Sequence, residues 1–367
     1  MKSNNFKIRI TTLTPVCIGS GEELSPYSDY IIDKGYVYVV DKITLQDKIA
    51  QNDAWMETYI EGISCGMENN RSRFNLKDFI ENTLRMDIEN ISIVKYELKT
   101  AGQQQKLPVK CMLKTPFGEA FIPGSSLKGA IKTAIMYDWI NDINEQPKDG
   151  DPCIQWAKDL LRINPVRNDR KRTLEELLDS LNQDSIRKSE IEVFRITDSK
   201  PINKGRGIVI DCKRDVPLRI ECISSGSEAL CEIETNLDWH KLTRMINIYS
   251  YNMLCHNEHI LQGDDRAYKE KLESLEGELD VLTDDLNSEI AYLRLGFGKG
   301  FYFNSIALAL YDWVEEDEGK KEKLKKILST EYRKLSNLDL FPTTYLKTDV
   351  THEPLGWIKI ERINYQE

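Results

Sequence analysis

Several of the marks that sort proteins into common classes are scarce or missing in this sequence. Histidine occurs four times in 367 residues, at 240, 256, 259 and 352, so the first half of the chain has no imidazole for proton transfer near neutral pH. The eight cysteines, at 17, 65, 111, 153, 212, 222, 231 and 255, form no CxxC pair. That spacing excludes a zinc ribbon and a disulfide framework and leaves buried free thiols as the expectation. Apolar runs such as "SIALAL" fall far short of the ~20 residues a membrane span needs. The opening "MKSNNFKIRITTLTPVCIGSG" alternates like a strand and lacks a signal peptide's apolar stretch, so a cytoplasmic protein with no membrane partner is expected. Excess positive charge is missing too: 50 Lys and Arg face 60 Asp and Glu, a net charge of -10, where nucleic-acid binders are usually basic. The acidic residues crowd into 270–289 and 315–318, which leaves room for a local cationic groove.

What is present describes a globular chain: 40% hydrophobic and 30% charged residues, a mean hydropathy of -0.47, and length for two domains. A strand is expected over Lys7–Thr14, then a Gly-Ser-Gly turn at 19–21 and a hairpin in "DYIIDKGYVYVVD" turning at Lys34-Gly35. Residues 42–90 read as helical, and "ISIVKYELK" as a strand. A polar stretch from 141 to 189 reads as linker plus helices. Strands at "EVFRITDSKPI", "GIVIDCK", "PLRIECI" and "ALCEIETN" then follow at the short intervals of an antiparallel sheet, before helices from 236 to 290.

One device occurs twice. In "FIPGSSLKGAIKTAI" (121–135) an apolar strand passes through Pro-Gly-Ser-Ser, with Ser125 or Ser126 as N-cap, into a helix. Leu127, Ala130, Ile131, Ala134 and Ile135 fall on one stripe of it, whereas Ser125, Lys128 and Lys132 share another. The unpaired N–H groups and positive end of such a helix suit an anion such as phosphate. A P-loop needs Lys and Ser or Thr after its second glycine; Ala130 and Ile131 follow Gly129, which excludes that chemistry. The second occurrence, "LRLGFGKGFYFNSIALAL", again runs from strand through glycines into a helix. Phe301 stands where a dinucleotide fingerprint needs its last glycine, and no acidic residue anchors a ribose beyond it. Two such loops suit a phosphodiester chain better than one small phosphate.

The segments "LTPVCIGSGEE", "FIPGSSLKGAIKTAI", "FRITDSKPI" and "LRLGFGKGFYF", in this order, resemble RAMP-superfamily proteins of type III CRISPR effector complexes. With "FPTTYL" and "EPLGWIKI" near the end, the chain looks most like the subunit that caps the type III-A (Csm) complex at the 3′ end of its guide RNA. The resemblance implies an α+β fold of two ferredoxin-like, RRM-related domains with helical insertions, at 1–190 and 191–367. It implies crRNA as ligand and an adjacent RAMP backbone subunit as partner, with the small helical subunit and host nucleases as further partners. It also implies a part in crRNA 3′ maturation; no cofactor, no metal and no catalytic residue are expected, on the residues weighed next. The family's phosphate contacts then fall on Gly124, Ser125, Ser126 and Lys128, and on Gly296, Gly298, Lys299 and Gly300; Lys132 joins the RNA-binding candidates by its place on the cationic stripe, and Lys204 and Arg206 lie in a region that in the family reaches RNA or the neighbouring subunit.

Other residues compete for a role. RAMP relatives that cleave precursor RNA use a histidine in the first unit, which this chain lacks there; the alternative of a ribonuclease that itself trims the crRNA intermediate therefore rests on Asp33, Asp198 or Asp211. All three read as structural, Asp198 as organiser of its own Thr-Asp-Ser turn. Cys255, His256 and His259 have helical spacing for metal ligands but no second pair, so a core cysteine beside exposed histidines is expected. The basic run "RINPVRNDRKR" (162–172) reads as a solvated loop or an RNA contact, and Gly19-Ser20-Gly21 as a turn or a contact.

Overall fold

The computed structural model describes residues 3–69, 74–88, 93–101, 107–145, 192–213, 217–260, 266–300, 307–314, 317–331 and 346–363. The first part of the chain runs β1 (Asn4–Thr12), β2 (Gly19–Leu24), β3 (Tyr30–Asp33), β4 (Tyr36–Val40), α1 (Lys42–Ile49), α2 (Asp53–Asn69), α3 (Leu76–Asp78), β5 (Val94–Thr100), β6 (Val109–Met112) and α4 (Gly124–Glu145). The rest runs β7 (Phe194–Ile196), β8 (Gly207–Lys213), β9 (Leu218–Ile223), β10 (Glu228–Thr235), α5 (Trp239–Ile260), α6 (Arg266–Asp284), β11 (Ile290–Arg294), α7 (Ala307–Val314), α8 (Glu318–Glu331), β12 (Lys347–Thr348) and β13 (Trp357–Arg362).

Two curled sheets organise these elements in an α+β fold. The first has the order β11-β13-β1-β10-β7, antiparallel throughout. Its strands alternate: Ile8 and Ile10 of β1 and Ile358 and Ile360 of β13 are buried, while Arg9 between them pairs with Glu228 on the open face at 3.7 Å. One covered face and one wet face is the usual economy of an antiparallel sheet. The covered face packs on α4 and α5. All five residues of the apolar stripe expected from 127 to 135 are in that core, and α5 adds Leu242, Met245, Ile246, Tyr249 and Met253 at helical spacing.

The second sheet has the order β2-β6-β9-β8-β5-β4-β3, with β12 beside β8. The β3–β4 hairpin turns through Lys34 (φ 45°) and Gly35 (φ 82°), two consecutive left-handed residues whose twist suits paired strands. Inside the curl Arg219 is fully buried and holds Asp211 with two hydrogen bonds, at 2.6 and 2.9 Å, and Tyr30 Oη at 3.2 Å.

The strands between 192 and 235 do not share one sheet, contrary to their even spacing in sequence. β8 and β9 pair with each other in the second sheet, whereas β7 and β10 lie in the first. The crossing after β9 is held by Thr12, whose Oγ1 donates to the Ser224 carbonyl at 2.7 Å and accepts the Ser227 N–H at 2.9 Å. Alternation marks a segment as a strand; the buried hydroxyl of a distant residue decides which partner it reaches. Both sheets combine strands from before and after residue 190, since β1 pairs with β10 and β13, and β5 with β8.

Candidate nucleic-acid interface

The first glycine loop is a helix mouth capped from elsewhere. α4 begins at Gly124, so neither Ser125 nor Ser126 is the N-cap. Asp198 supplies the cap: its Oδ1 accepts the Gly124 N–H at 2.8 Å, a task 74 residues away in sequence rather than in its own turn. Two more bonds fasten the same pair of segments, Ser199 N–H to the Ile122 carbonyl at 2.9 Å and Ile122 N–H to Ser199 Oγ at 3.0 Å. Gly124 is required by close approach, because a Cβ there would stand 2.3 Å from the Ile196 carbonyl oxygen. Its own amide is consumed by Asp198, and those of Ser126 and Leu127 go to the Pro123 carbonyl at 3.1 and 3.2 Å.

What this mouth offers an anion is therefore narrower than a row of free amides. Among the described residues the Ser125 N–H has no acceptor, and its side chain is exposed. Lys128 and Lys132 are half-buried one turn apart, and neither has an ion-pair partner among the described residues. Burial, and then the neighbouring Lys128 charge, hold Lys132 below the usual lysine value. Two like charges on one helix face repel unless an anion joins them.

The second loop has no helix at all within its glycines. Gly296, Gly298 and Gly300 sit at φ +80°, +84° and +82°, a left-handed conformation costly for any side chain. The Phe297 N–H donates to the Cys17 carbonyl at 2.7 Å, and a Cβ on Gly296 would lie 2.2 Å from that same oxygen. Behind the loop stands Arg294, nearly buried. Its Nε donates to the Leu355 carbonyl at 2.8 Å and its Nη2 to the Gly298 carbonyl at 3.2 Å, and it lies over the Trp357 ring at 6.0 Å. Burial, and then the Arg294 charge, push Lys299 down to about 8. Lys299 has no ion-pair partner among the described residues. The Gly298 and Lys299 amides likewise have no acceptor among them.

These two junctions gather the sequence segments in pairs. "FIPGSS" is tied to "ITDSKPI" through Asp198 and Ser199. "GFGKG" is tied to "TPVCIG" through Cys17 and to "EPLGW", where the Gly356 carbonyl accepts the Leu295 N–H at 2.7 Å and the Gly356 N–H reaches Pro15 at 2.9 Å.

The remaining candidates are accounted for as follows. Lys204–Arg206 is a single 3₁₀ turn leading into β8, and Arg206 is exposed and has no side-chain partner among the described residues; the Lys204 side chain lies outside the described residues. Gly19, Ser20 and Gly21 open the edge strand β2, with Ser20 Oγ donating to the Cys111 carbonyl at 3.4 Å. Asp33 pairs with Lys77 at 2.8 Å and Asp211 with Arg219, so each of the three aspartates has a structural partner. Cys255 donates to Glu276 at 3.3 Å, and the His259 side chain lies outside the described residues. So does the whole basic run 162–172, with Cys153. Cys17, Cys111, Cys212, Cys222 and Cys231 are buried free thiols, as expected; Cys65 is exposed and Cys255 half-buried.

Sequence patterning misses two features. Arg294 ends an apolar strand, and a lone charge on a buried strand face was the available signal. The second is a groove of about 810 Å³ on the second sheet, lined among others by Tyr96, Lys114, Phe117, Arg206 and Glu221. There Lys114 lies 3.8 Å over the Tyr96 ring and pairs with the buried Glu221. Burial lifts the Glu221 carboxyl above its usual range although Lys114 pulls it back.

The sequence profile of the RAMP superfamily matches residues 9–303. With both glycine loops inside that span, the chain belongs to the RAMP superfamily, the class its fold and motifs define. Within it the chain is similar to the CRISPR system Cms protein Csm5 of Methanocaldococcus jannaschii, 27% identical over 400 residues that cover 97% of this chain and 88% of the relative. It is also similar to the Csm5 protein of Streptococcus thermophilus, 25% identical over 261 residues, 64% of each chain. In structure it matches a chain of the cryo-EM Csm–crRNA–target RNA ternary complex of a type III-A CRISPR–Cas system, with a TM-score of 0.66 at 20% identity, covering 97% of this chain and 100% of that one. The crystal structure of T. onnurineus Csm5 matches with a TM-score of 0.56 at 19% identity, over 95% and 99% of the two chains. The resemblance to Csm subunits and the α+β fold it implied are thus borne out.

Proposed function

We propose that this chain is a non-catalytic RNA-binding subunit of a type III-A Csm effector complex, which caps the 3′ end of the crRNA, is needed for maturation of that end, and docks on an adjacent RAMP backbone subunit. One observation carries the reading. Lys128 and Lys132, on the first turns of α4 behind its glycine mouth, and Lys299, within the second glycine loop, have no anionic partner among the described residues, and Lys132 and Lys299 are held below the usual lysine value by burial and a neighbouring cation. A phosphate would relieve both the repulsion and the lost hydration. Three cations against a chain charge of -10 also fit a narrow track rather than a broad basic face.

Contacts of this kind read the backbone of a strand, so affinity should be insensitive to sequence and fall with salt. Lys128→Ala is expected to weaken crRNA binding by the same factor for guides of unrelated sequence, and to make the slope of log affinity against log salt shallower by about 0.7. Filter binding across a salt series measures both; a loss confined to one base identity would sink the reading. Purified protein incubated with crRNA intermediate, with and without divalent metal, should leave its length unchanged. Trimming abolished by Asp198→Asn or Asp211→Asn in a folded protein would overturn the non-catalytic assignment.

A further inference from the structure

Phe117 is 80% exposed at the tip of a tight turn that borders the groove on the second sheet. The turn is rigid. Gly118 N–H donates to the Thr115 carbonyl at 2.9 Å, Thr115 N–H to the Glu119 carbonyl at 2.8 Å and Glu119 N–H to Thr115 Oγ1 at 3.3 Å. Pro116 precedes the ring, Gly118 follows it at φ +79°, and Lys114 bridges Ala120. A phenylalanine held in water on such a frame forgoes roughly 2 kcal/mol of burial, and it has no ring contact among the described residues.

We propose that the Phe117 ring is a stacking platform for one unpaired base of the ribose–phosphate strand that meets the α4 mouth, with Arg206 on the neighbouring phosphate; this rests on the RNA-binding reading above. The charges of the groove favour a flat neutral partner. Of its five carboxylates, Asp41 caps α1 by accepting the Ile43 and Thr44 N–H groups, Asp29 pairs with Lys42 at 2.9 Å, and Glu221 takes Lys114 and the Met112 N–H. Glu22 and Glu97 are matched in number by Lys95 and Arg206. Five carboxylates against four cations, Lys42, Lys95, Lys114 and Arg206, leave one negative charge in excess, and that of Asp41 is turned onto the positive end of α1; so small an excess does not draw in a strongly basic or acidic protein surface, whereas base–aromatic stacking needs no charge. The turn is also tied to the α4 mouth: the Ala120 carbonyl accepts the Ile202 N–H at 2.8 Å and the Ile122 carbonyl the Ser199 N–H, and at most about 25 Å of chain separates Phe117 from Gly124. A short stretch of one strand can reach both.

The test places the photo-crosslinker p-benzoylphenylalanine at position 117, and in a parallel sample at 128, in the complex reconstituted with labelled crRNA. RNA adducts at both positions are expected. An adduct to RNA at 128 but only to protein, or to nothing, at 117 overturns the stacking platform and leaves the RNA-binding reading standing; no RNA adduct at either position removes both. In binding assays Phe117→Ala should lose roughly 5- to 150-fold in affinity with no change in salt slope, and Phe117→Trp should restore it. Equal losses in the two variants would show that the ring face is not the contact.

Discussion

The two glycine loops look like one device repeated in the sequence, and the backbone treats them as two. At 124–129 the chain makes a helix mouth whose first amide is already taken by Asp198, and Gly124 is small because a carbonyl crowds it. At 296–300 it makes a left-handed loop with all three glycines at positive φ, braced by a buried arginine from behind. Each carries a lysine just before its last glycine, Lys128 and Lys299, that has no counter-ion among the described residues. The comparison teaches that what recurs is a half-buried lysine beside glycine backbone without a counter-ion among the described residues, and that two unrelated backbone solutions reach it.

Substitutions at the glycines should break the two loops in different ways, and the largest effect belongs to Gly296. Gly296→Ala adds a Cβ 2.2 Å from the Cys17 oxygen at a φ of +80°, and is expected to cost about 3–5 kcal/mol in urea unfolding. Gly300→Ala has the same strain but open space around it, so about 1–2 kcal/mol is expected. A similar cost at both positions would mean that crowding by Cys17 does not shape the loop.

Next in size is a pH effect that is largest at the second loop, although Lys132 on α4 is shifted in the same direction. Lys299 has a value of about 8 against an ordinary 10.5, so between those limits the unfolded chain holds the proton that the folded chain has lost. The Lys299 contribution therefore makes the free protein more stable as pH rises through that window. RNA binding has the opposite sign, because it needs the ammonium, and should weaken as pH rises past about 8. Lys299→Met should remove the larger part of both dependences, while Lys128→Ala, which takes away the lesser cause of the Lys132 shift, should reduce them only slightly. Titration of binding and of the urea midpoint from pH 7 to pH 10 reads the two signs separately.

The smallest expected effect is a gain. Gly129 lies inside α4, exposed, with nothing within 4 Å of a built Cβ, so Gly129→Ala should stabilise by about 0.5–1 kcal/mol. Gly124→Ala, five residues earlier, should destabilise by several times that amount because of the Ile196 oxygen. Opposite signs within one motif would sharpen the distinction between a glycine needed for contact and one that merely occupies a helix.

Much of the local structure was legible in advance, and particular residues show why. Lys34-Gly35 marked a hairpin because only residues tolerant of positive φ fit that turn. The stripe from Leu127 to Ile135 marked a buried helix face because 3.6-residue periodicity survives any tertiary context. The partners of "FRITDSKPI" and "ALCEIETN" were not legible, since a strand's pattern fixes its faces and not its neighbour. Nor was the cap of α4: a serine next to the helix start is a good local candidate, but Asp198 arrives from 74 residues further along the chain. Phe117 carried no signal above that of an ordinary turn.

Local chemistry, then, was determined by the sequence by itself: where strands and helices form, which glycines bend the chain, and which lysines stand beside them. Those are short-range properties, set by sterics and periodicity within a few residues. Only the tertiary structure decided which amides of the loops remain free, that Arg294 braces one of them, and that Phe117 stands over a groove near the other. Such outcomes depend on contacts between residues far apart in the chain, where a carbonyl 2.2 Å from an absent Cβ or a carboxylate 2.8 Å from an amide settles the site.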